Sequence, residues 1–144
     1  MNDVHTASIN TTLSGGIISR PSIVGLMLGI FDAGMELNER EPFWEGTLPT
    51  SLPIQLRKLG YETNYWYGGS LSHGNFNHFA PACGFNHSYS GTDICGPKAP
   101  RSWVGIYDHV FLNKVADMIQ QRSDDVPQFH FVYTTSNHGP ISFL

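Results

Sequence analysis

Two polar residues are candidates for catalysis because of the segments next to which they lie. Ser19 precedes an apolar run, and His138 lies in the segment NHGP that follows the apolar stretch FHFVYTT. A helix N-terminus stabilises an alkoxide, and its N–H groups bind phosphate or sulfate. A histidine beyond a strand end can donate a proton to a leaving group or bind an oxyanion oxygen. The simpler alternatives are an ordinary capping serine and a loop histidine bonded to backbone.

A glycine-rich loop offers further polar groups. The stretch YWYGGSLSHGNFNHF carries Tyr67, His73, Asn75 and His78, which can shape a polar pocket; a surface loop with aromatic anchors is the alternative. His73 and His78 are five residues apart, whereas zinc ligands on one helix face are four apart. No HExxH, CxxC or P-loop motif occurs in the sequence. His130 alternates within FHFVYTT and is predicted to be a satisfied sheet histidine.

The composition argues against some partners. The 144 residues have the length of one domain and can bury a core. The net charge is −4 without a basic cluster, which excludes nucleic acid as an expected partner. Charged residues make up 14%, against about 25% in typical soluble domains, so most segments are expected to be buried. The longest apolar run, residues 23–31, is too short to span a bilayer.

Two cysteines, Cys83 and Cys95, flank a segment rich in Gly, Asn and Ser. A disulfide that closes this loop is one interpretation, and it requires an oxidising compartment. Two unpaired thiols are the other. Two thiols alone do not show whether the protein acts in an oxidising or a reducing compartment.

Apolar spacing and turn residues predict the elements that position these groups. Pro21 suits the first turn of a helix, which Ser19 or Ser22 can cap. The predicted order is a strand over residues 4–9, a helix over 22–28, a helix from the cap Thr50 or Ser51 to Gly60, a strand in YETNYWYGG, a helix over 104–121 and the strand FHFVYTT, with loops over residues 10–19, 32–49 and 68–102.

Strands that alternate with helices favour an α/β layered fold with a largely parallel sheet. Ligands of such sheets bind beyond the carboxyl ends of the strands. The loops over residues 67–77 and 136–140 are therefore the candidate ligand loops.

The order and spacing of several motifs resemble the sulfatases. SRPS, followed by MLG, is similar to their active-site stretch, in which a Cys or Ser is followed by x-Pro-Ser-Arg and then Leu-Thr-Gly. Counting back from Gly29 puts Ser19 at the nucleophile position. The same count against the lipoteichoic-acid synthase and phosphoglycerol transferase branch, where threonine is the nucleophile, also reaches Ser19. The stretches LPIQLRKLGYETNYWYGG, GFNHSY, GIYDHVFLNKVADMI and PQFHFVYTTSNHGPI extend the resemblance over nearly all of the chain.

The resemblance implies a member of the alkaline phosphatase superfamily with a three-layer α/β/α sandwich. Such enzymes attack a phosphate or sulfate ester with a metal-bound hydroxyl, and the divalent metal (Mn²⁺, Mg²⁺, Ca²⁺ or Zn²⁺) offsets charge on the transferred group. It implies that Ser19 is the nucleophile and a metal ligand and that His138 contacts the leaving group or the substrate. The implied substrate-binding residues are Arg20, Tyr67, Gly69, His73, Asn75 and Asn137.

One departure from the family pattern separates the reactions. Sulfatases carry Arg four residues after the nucleophile, as part of the signal for formylglycine, and here that residue is Ile23. An unmodified serine is therefore expected, which favours phosphoryl or phosphoglycerol transfer, or phosphodiester hydrolysis, over sulfuric ester hydrolysis. A non-catalytic module that binds an anionic glycan or lipid head group is a further alternative. A serine hydrolase is disfavoured because no G-x-S-x-G elbow surrounds Ser19.

The resemblance also concerns the extent of the domain. It implies that residues 1–144 are the central part of a single catalytic domain, cut at both ends, with the other metal ligands outside this chain. The isolated chain is then expected to bind metal weakly and to be inactive. An extracytoplasmic site of action follows from the resemblance, with any membrane attachment made by other segments, and the expected substrate is a lipid- or glycan-linked phosphate or sulfate ester.

Overall fold

The computed structural model describes residues 18–31, 36–41, 47–122 and 125–137. Helices and strands alternate along these segments. In chain order they are α1 (Ser19–Leu28), α2 (Leu52–Lys58), β1 (Glu62–Tyr67), α3 (Phe76–Ala82), β2 (His87–Ser90), α4 (Gly91–Cys95), α5 (Asp108–Gln120) and β3 (Gln128–Tyr133), with 3-10 turns at Leu37–Glu39 and His73–Asn75.

The strands form one parallel sheet in the order β2-β1-β3. Tyr67, the last residue of β1, stands opposite Ser90 of β2 and Tyr133 of β3. Because the strands run in the same direction, their carboxyl ends meet at one edge of the sheet. This is the edge at which open α/β sheets bind ligands.

Helices cover both faces of the sheet. Alternate residues of a strand point to opposite faces, so Tyr65 and Tyr67 pack with apolar residues of α1 and α3. Trp66 points to the other face, where it packs with Phe111 and Val115 of α5. The predicted α/β/α layering with a parallel sheet is confirmed in this part of the fold.

The first two helices begin close to their predicted caps. α2 begins after Ser51, whose hydroxyl accepts a hydrogen bond from the Ile54 N–H at 3.4 Å, as predicted. α1 begins at Ser19, earlier than residue 22, and its N-cap is Ile18 in extended conformation. The alternative cap, Ser22, is wrong because its hydroxyl donates to the Ile18 carbonyl at 2.9 Å from inside the helix.

The glycine-rich segment over residues 68–102 contains more regular structure than predicted. It includes α3, β2 and α4. β2 has only four residues, too few for a clear alternation. α4 carries a signal that could have been found: the Ser90 hydroxyl accepts from the Asp93 N–H at 3.1 Å, and the Asp93 carboxylate accepts from the Ser90 N–H at 3.1 Å.

The helix predicted over residues 104–121 begins four residues later, at Asp108. The preceding residues instead pack on the loop that follows β1. The Ile106 N–H donates to the Gly68 carbonyl at 2.9 Å, and Gly105 forms an antiparallel bridge with Gly69. These contacts with distant residues compete with the local tendency to extend the helix.

The disulfide prediction is wrong for this structure, in which Cys83 and Cys95 are free thiols. Cys83 lies in the core between the sheet and α1 and α3, whereas Cys95 packs on the α5 side. The sheet therefore separates the two residues. Burial raises the pKa of the Cys83 thiol to about 12, so it is protonated at neutral pH.

Two further expectations concern the chain as a whole. The strand predicted over residues 4–9 lies outside the described residues. Within the segments that the structure describes, no helix has both the length and the apolar character needed to cross a membrane.

Candidate functional site

A small cavity opens at the carboxyl end of β1 and β3. Its volume is about 180 Å³. The structure brings together here four of the residues predicted to act on a ligand: Ser19, Arg20, Tyr67 and His73. Ile18 and Tyr133 complete the described lining.

Ser19 is the first residue of α1 and is exposed to the cavity. The first main-chain hydrogen bond of the helix runs from the Ser22 N–H to the Ile18 carbonyl at 3.1 Å. The N–H groups of Ser19 and Arg20 therefore have no partner within the helix, and Pro21 has no N–H. These groups and the helix dipole favour an anion beside the Ser19 hydroxyl.

Arg20 is less available as a cation than the sequence suggests. Its guanidinium forms an ion pair with Glu36 at 3.0 Å and a second one with Glu39. Neither carboxylate was predicted to take part in the site, because both lie in a segment that was predicted to be loop. Arg20 thus ties the start of α1 to the Leu37–Glu39 turn while its side chain lines the cavity.

Tyr67 forms the buried wall of the cavity. Its ring stacks on Tyr133 with centroids 4.7 Å apart. Burial, and to a smaller extent the Tyr133 hydroxyl, raise the pKa of Tyr67 to about 12, although the charge of Arg20 acts in the opposite direction. The Tyr67 hydroxyl is therefore protonated at neutral pH and can donate a hydrogen bond. Gly69 permits this position, because a Cβ there would lie 2.7 Å from the Tyr67 ring.

The His73–Asn75 turn positions His73 at the rim. Gly74, with φ +67°, packs so closely that a Cβ would lie 2.9 Å from Arg20 Cδ. The buried Asn38 amide donates to the Gly74 carbonyl and so anchors the same turn. Asn75 has φ +54° and serves as the N-cap residue of α3. Asn38 is a positioning residue that the sequence did not reveal.

The turn after β3 is held by α5. The Asp108 carboxylate accepts hydrogen bonds from the N–H groups of Thr135 and Ser136 at 2.9 and 3.0 Å, and the Ser136 hydroxyl accepts from the Asp108 N–H at 2.8 Å. Asn137 follows as an exposed turn residue. His138 lies outside the described residues, so its role stays a prediction.

His130 faces the opposite side of the sheet from the cavity. Its Nδ1 accepts a hydrogen bond from the Trp66 indole at 3.1 Å, which agrees with a sheet histidine. Its Nε2 is buried and has no hydrogen-bond partner among the described residues, so the prediction of a satisfied histidine holds for only one of its two ring nitrogens. Burial and then the charge of Arg122 lower the pKa of His130, against Glu62, so the ring is neutral.

The described residues do not by themselves build a metal site. Ser19 supplies one hydroxyl at the cavity, and no group of three or more His, Cys, Asp or Glu able to hold a metal occurs among the described residues. A single neutral hydroxyl is too weak a ligand set for a divalent cation. Ser19 thus remains one predicted ligand whose partners lie elsewhere.

A second cavity of about 430 Å³ adjoins the first and shares Arg20 and His73 with it. Ser70, Trp103 and Val104 complete its described lining. Trp103 is 71% exposed, and no pattern in the sequence singled it out.

Comparison with known proteins agrees with the geometry. The sequence pattern of the sulfatases matches residues 8–143. The lipoteichoic acid synthase LtaP from Listeria monocytogenes is similar in structure, with a TM-score of 0.73 and 22% identity over 84% of this chain and 29% of that one. A protein in the alkaline phosphatase superfamily from Vibrio parahaemolyticus is similar with a TM-score of 0.77 and 25% identity, over 91% of this chain and 32% of that one. The chain thus spans about a third of the length of these solved structures.

Proposed function

We propose, because the chain belongs to the sulfatase family, that Ser19 is the unmodified nucleophile of phosphoryl or phosphoglycerol transfer or of phosphodiester hydrolysis. The coarser assignment, a sulfatase-like domain of the alkaline phosphatase superfamily, is given by the comparisons. One observation carries the finer proposal. Ser19 is exposed at the N-terminus of α1, in a cavity that it shares with Tyr67 and His73.

The proposed reaction has two steps. The Ser19 hydroxyl loses its proton to solvent and its Oγ attacks phosphorus while the P–O bond to the leaving alcohol breaks; the alcohol oxygen takes up a proton, for which His138 is the predicted donor. A second alcohol or water then loses a proton and attacks the phosphorylated serine, and the Ser19 Oγ leaves and is protonated again. The helix N–H groups and the neutral Tyr67 hydroxyl are the donors that the described chain offers to the phosphate oxygens.

The residue at position 23 supports phosphate over sulfate chemistry. Ile23 is 6% exposed and packs in the core with Val24 and Met27. An arginine there, as in the sulfatase signal, would place an unpaired charge in an apolar cluster. The fold of this chain therefore suits an unmodified serine at position 19, and sulfuric ester hydrolysis is the less favoured reaction.

The remaining parts of the proposal rest on family membership. A divalent metal would be held by Ser19 together with ligands outside the described residues, and it would offset the negative charge of the transferred group. The substrate would be a phosphate ester linked to a lipid or a glycan. The site of action would be extracytoplasmic, with the membrane attachment made by other segments of the whole protein.

Substitution of Ser19 tests the nucleophile in the whole protein. With Mn²⁺ or Mg²⁺ added, Ser19→Ala is expected to lower hydrolysis of bis(p-nitrophenyl) phosphate by about 10³-fold or more, because no other group replaces the attacking oxygen. Mass spectrometry of the quenched wild-type reaction is expected to find a p-nitrophenyl phosphoryl group on Ser19, since only one p-nitrophenol leaves in the first step. Ser22→Ala is the matched control, since that hydroxyl bonds within the same helix.

Three outcomes would contradict the proposal. Activity retained in Ser19→Ala would exclude the nucleophile. Turnover of p-nitrophenyl sulfate in preference to the phosphodiester would favour sulfuric ester hydrolysis instead. Binding of anionic esters without turnover of either substrate would favour the non-catalytic module.

A further inference from the structure

Two segments that are distant in the sequence line the Ser19 cavity. One is the start of α1, with Ser19 and Arg20, and the other is the turn that carries His73. The proposed reaction needs these segments at a fixed distance, because a displacement of about 1 Å can lower a rate by about a hundredfold. Side chains from residues 36–39 contact both segments.

The guanidinium of Arg20 is held by two carboxylates. Its Nη2 pairs with Glu36 at 3.0 Å and its Nη1 pairs with Glu39, and the three side chains are only 28% to 37% exposed, so water screens these pairs in part. Two carboxylates outweigh the single positive charge. A phosphate that bound to Arg20 would have to displace a carboxylate that the fold already holds. This arrangement favours a structural task for Arg20 over binding of the substrate.

The backbone at Glu36 is bent where the first carboxylate leaves it. Glu36 has φ +49° and ψ +54°, in the left-handed region that is unfavourable for a residue with a side chain. Such angles persist where surrounding contacts hold the residue. The ion pair with Arg20 is such a contact, so it ties residues 36–39 to the start of α1.

Asn38 contacts the other side of the cavity from the same segment. Its side chain is fully buried, and its amide donates to the Gly74 carbonyl. Its Oδ1 has no hydrogen-bond partner among the described residues, and a buried oxygen of this kind lowers stability. Packing alone therefore does not explain an asparagine here. The donor to Gly74 does, since Gly74 and Asn75 both have positive φ in a turn that needs an anchor.

Arg20, Asn38 and Gly74 meet at one point. A Cβ on Gly74 would lie 2.9 Å from Arg20 Cδ and 3.4 Å from Asn38 Nδ2. The aliphatic part of Arg20 therefore packs on the turn that carries His73, while its guanidinium binds the segment that carries Asn38. Loss of one of these contacts is expected to loosen the others, because all of them share the same three residues.

We infer that residues 36–39 form a brace that fixes Ser19 relative to His73, with Arg20 and Asn38 as positioning residues. The inference rests on the proposed function and assigns the control of its geometry to groups that do not touch the reacting atoms. Arg20 acts through its two carboxylates, and Asn38 acts through the backbone of the turn that carries His73. The phosphate is left to the N–H groups at the start of α1 and to other donors of the cavity.

Kinetics of the whole protein with bis(p-nitrophenyl) phosphate separate positioning from substrate binding. Arg20→Lys keeps the positive charge but lacks the fork that holds two carboxylates, so kcat is expected to fall about tenfold while KM changes by less than about twofold. Glu39→Gln is expected to lower kcat by about threefold. Glu41→Gln, which removes an exposed carboxylate two residues further along, is the matched control and is expected to leave kcat unchanged.

A double variant tests whether the two positioning residues act together. Asn38→Leu alone is expected to lower kcat by about tenfold. Arg20→Lys combined with Asn38→Leu is expected to be about as slow as the slower single variant, since one brace can be lost only once. If Asn38→Leu does not fold, Glu39→Gln at an exposed position takes its place in the double variant.

Amide signals test the brace without turnover. In ¹H–¹⁵N spectra of selectively labelled whole protein, Asn38→Leu is expected to shift the Ser19 signal, and Glu39→Gln is expected to shift the His73 signal. Each substitution is then detected on the side of the cavity that the replaced side chain does not contact. Glu41→Gln is expected to leave both signals in place.

Other results would overturn the inference. An unchanged kcat in Arg20→Lys or Glu39→Gln would exclude the brace, and a KM that rises in the first and falls in the second would make Arg20 a ligand of the substrate. Losses that multiply in the double variant, or signals that do not move across the cavity, would show independent contacts. Failure of the proposed function is distinct, because it shows as retained turnover in Ser19→Ala and does not affect the amide signals.

Discussion

The two ends of the parallel sheet are built in opposite ways. At the amino end, the first residues of the three strands are polar: Glu62, His87 and Gln128. Arg122 bonds to the side chains of Glu62 and Gln128, and His87 pairs with Glu62. Glu62 and His87 lie 3.0 Å apart, and Arg122 donates to the Glu62 carboxylate and to the Tyr89 hydroxyl. At the carboxyl end, β1 and β2 run into Gly68 and Gly91, which pack closely on each other, and two cavities open there.

The amino end of the sheet therefore contributes to stability, whereas the carboxyl end carries the cavities. Burial alone would raise the pKa of Glu62, but hydrogen bonds from Gln128 and Arg122 outweigh it and lower that pKa. The polar groups at this end therefore satisfy one another and tie the strands together. At the carboxyl end, small residues leave space, and polar residues such as Ser19 and His73 line the cavity there.

The largest effect on stability is expected from adding a side chain to Gly91, which packs against Gly68 at the carboxyl end of the sheet. A Cβ on Gly91 would lie 2.2 Å from the Gly68 carbonyl oxygen and 2.8 Å from Ile106, so Gly91→Ala is expected to lower the free energy of unfolding by about 3 kcal/mol. Urea titration followed by fluorescence measures it. Gly29→Ala, where φ is +68° and ψ is +26° but space is open, is expected to cost about 1 kcal/mol. Equal costs would show that close packing is not what Gly91 provides.

Removal of the cation at the amino end is expected to have a smaller effect. Arg122→Met leaves Glu62 partly buried without its main cation, which is expected to cost about 2 kcal/mol at pH 7. The Glu62 pKa is lowered by folding, so its contribution is present above its ordinary pKa and is lost as the pH falls through the folded value. The difference between variant and wild type is therefore expected to shrink below about pH 4.

Thermal unfolding across pH 3–8 measures this difference. Lys114→Met, which removes an exposed cation from α5, is the control and is expected to change stability by less than about 0.5 kcal/mol. A deficit in Arg122→Met that stays constant down to pH 3 would contradict the role assigned to the Glu62 charge.

The smallest effect on stability is expected from a substitution of Asp108, and it is expected to be confined to the turn after β3. Asp108→Asn removes a charge that accepts two main-chain hydrogen bonds, from Thr135 and Ser136. Amide hydrogen exchange at these two residues is expected to quicken about tenfold, with a loss of about 1 kcal/mol locally. Asp117→Asn, at an exposed position of α5, is expected to leave both amides unchanged. Unaltered exchange in Asp108→Asn would show that Asp108 does not hold the turn.

Local signals in the sequence were sufficient for much of the fold. Ser51 and Gly60 mark the ends of α2, and the aromatic run before Gly68 marks β1, because caps and strand-favouring residues act over a few residues. The short strand β2 and the late start of α5 were not predicted, since both depend on distant backbone partners. The sequence left a disulfide and two free thiols as alternatives, because positions along the chain carry no information on which face of the sheet each cysteine occupies.

The candidate site divides in the same way. The motif order was enough to predict Ser19, Tyr67 and His73 as one group, and the structure places these residues around one cavity. The partners of Arg20, the anchoring of the His73 turn by Asn38 and the exposure of Trp103 were not predicted. These are contacts between segments 15 or more residues apart, which no local pattern encodes.

The sequence alone therefore determined the family, the α/β layering and the serine at a helix start, because each depends on residue type and on local spacing. The tertiary structure alone decided that Arg20 is already paired, that the two thiols lie on opposite faces and that Trp103 lines the cavity next to that of Ser19. Packing of the chain on itself sets these features, since burial, ion pairing and cavity shape arise only when distant segments meet.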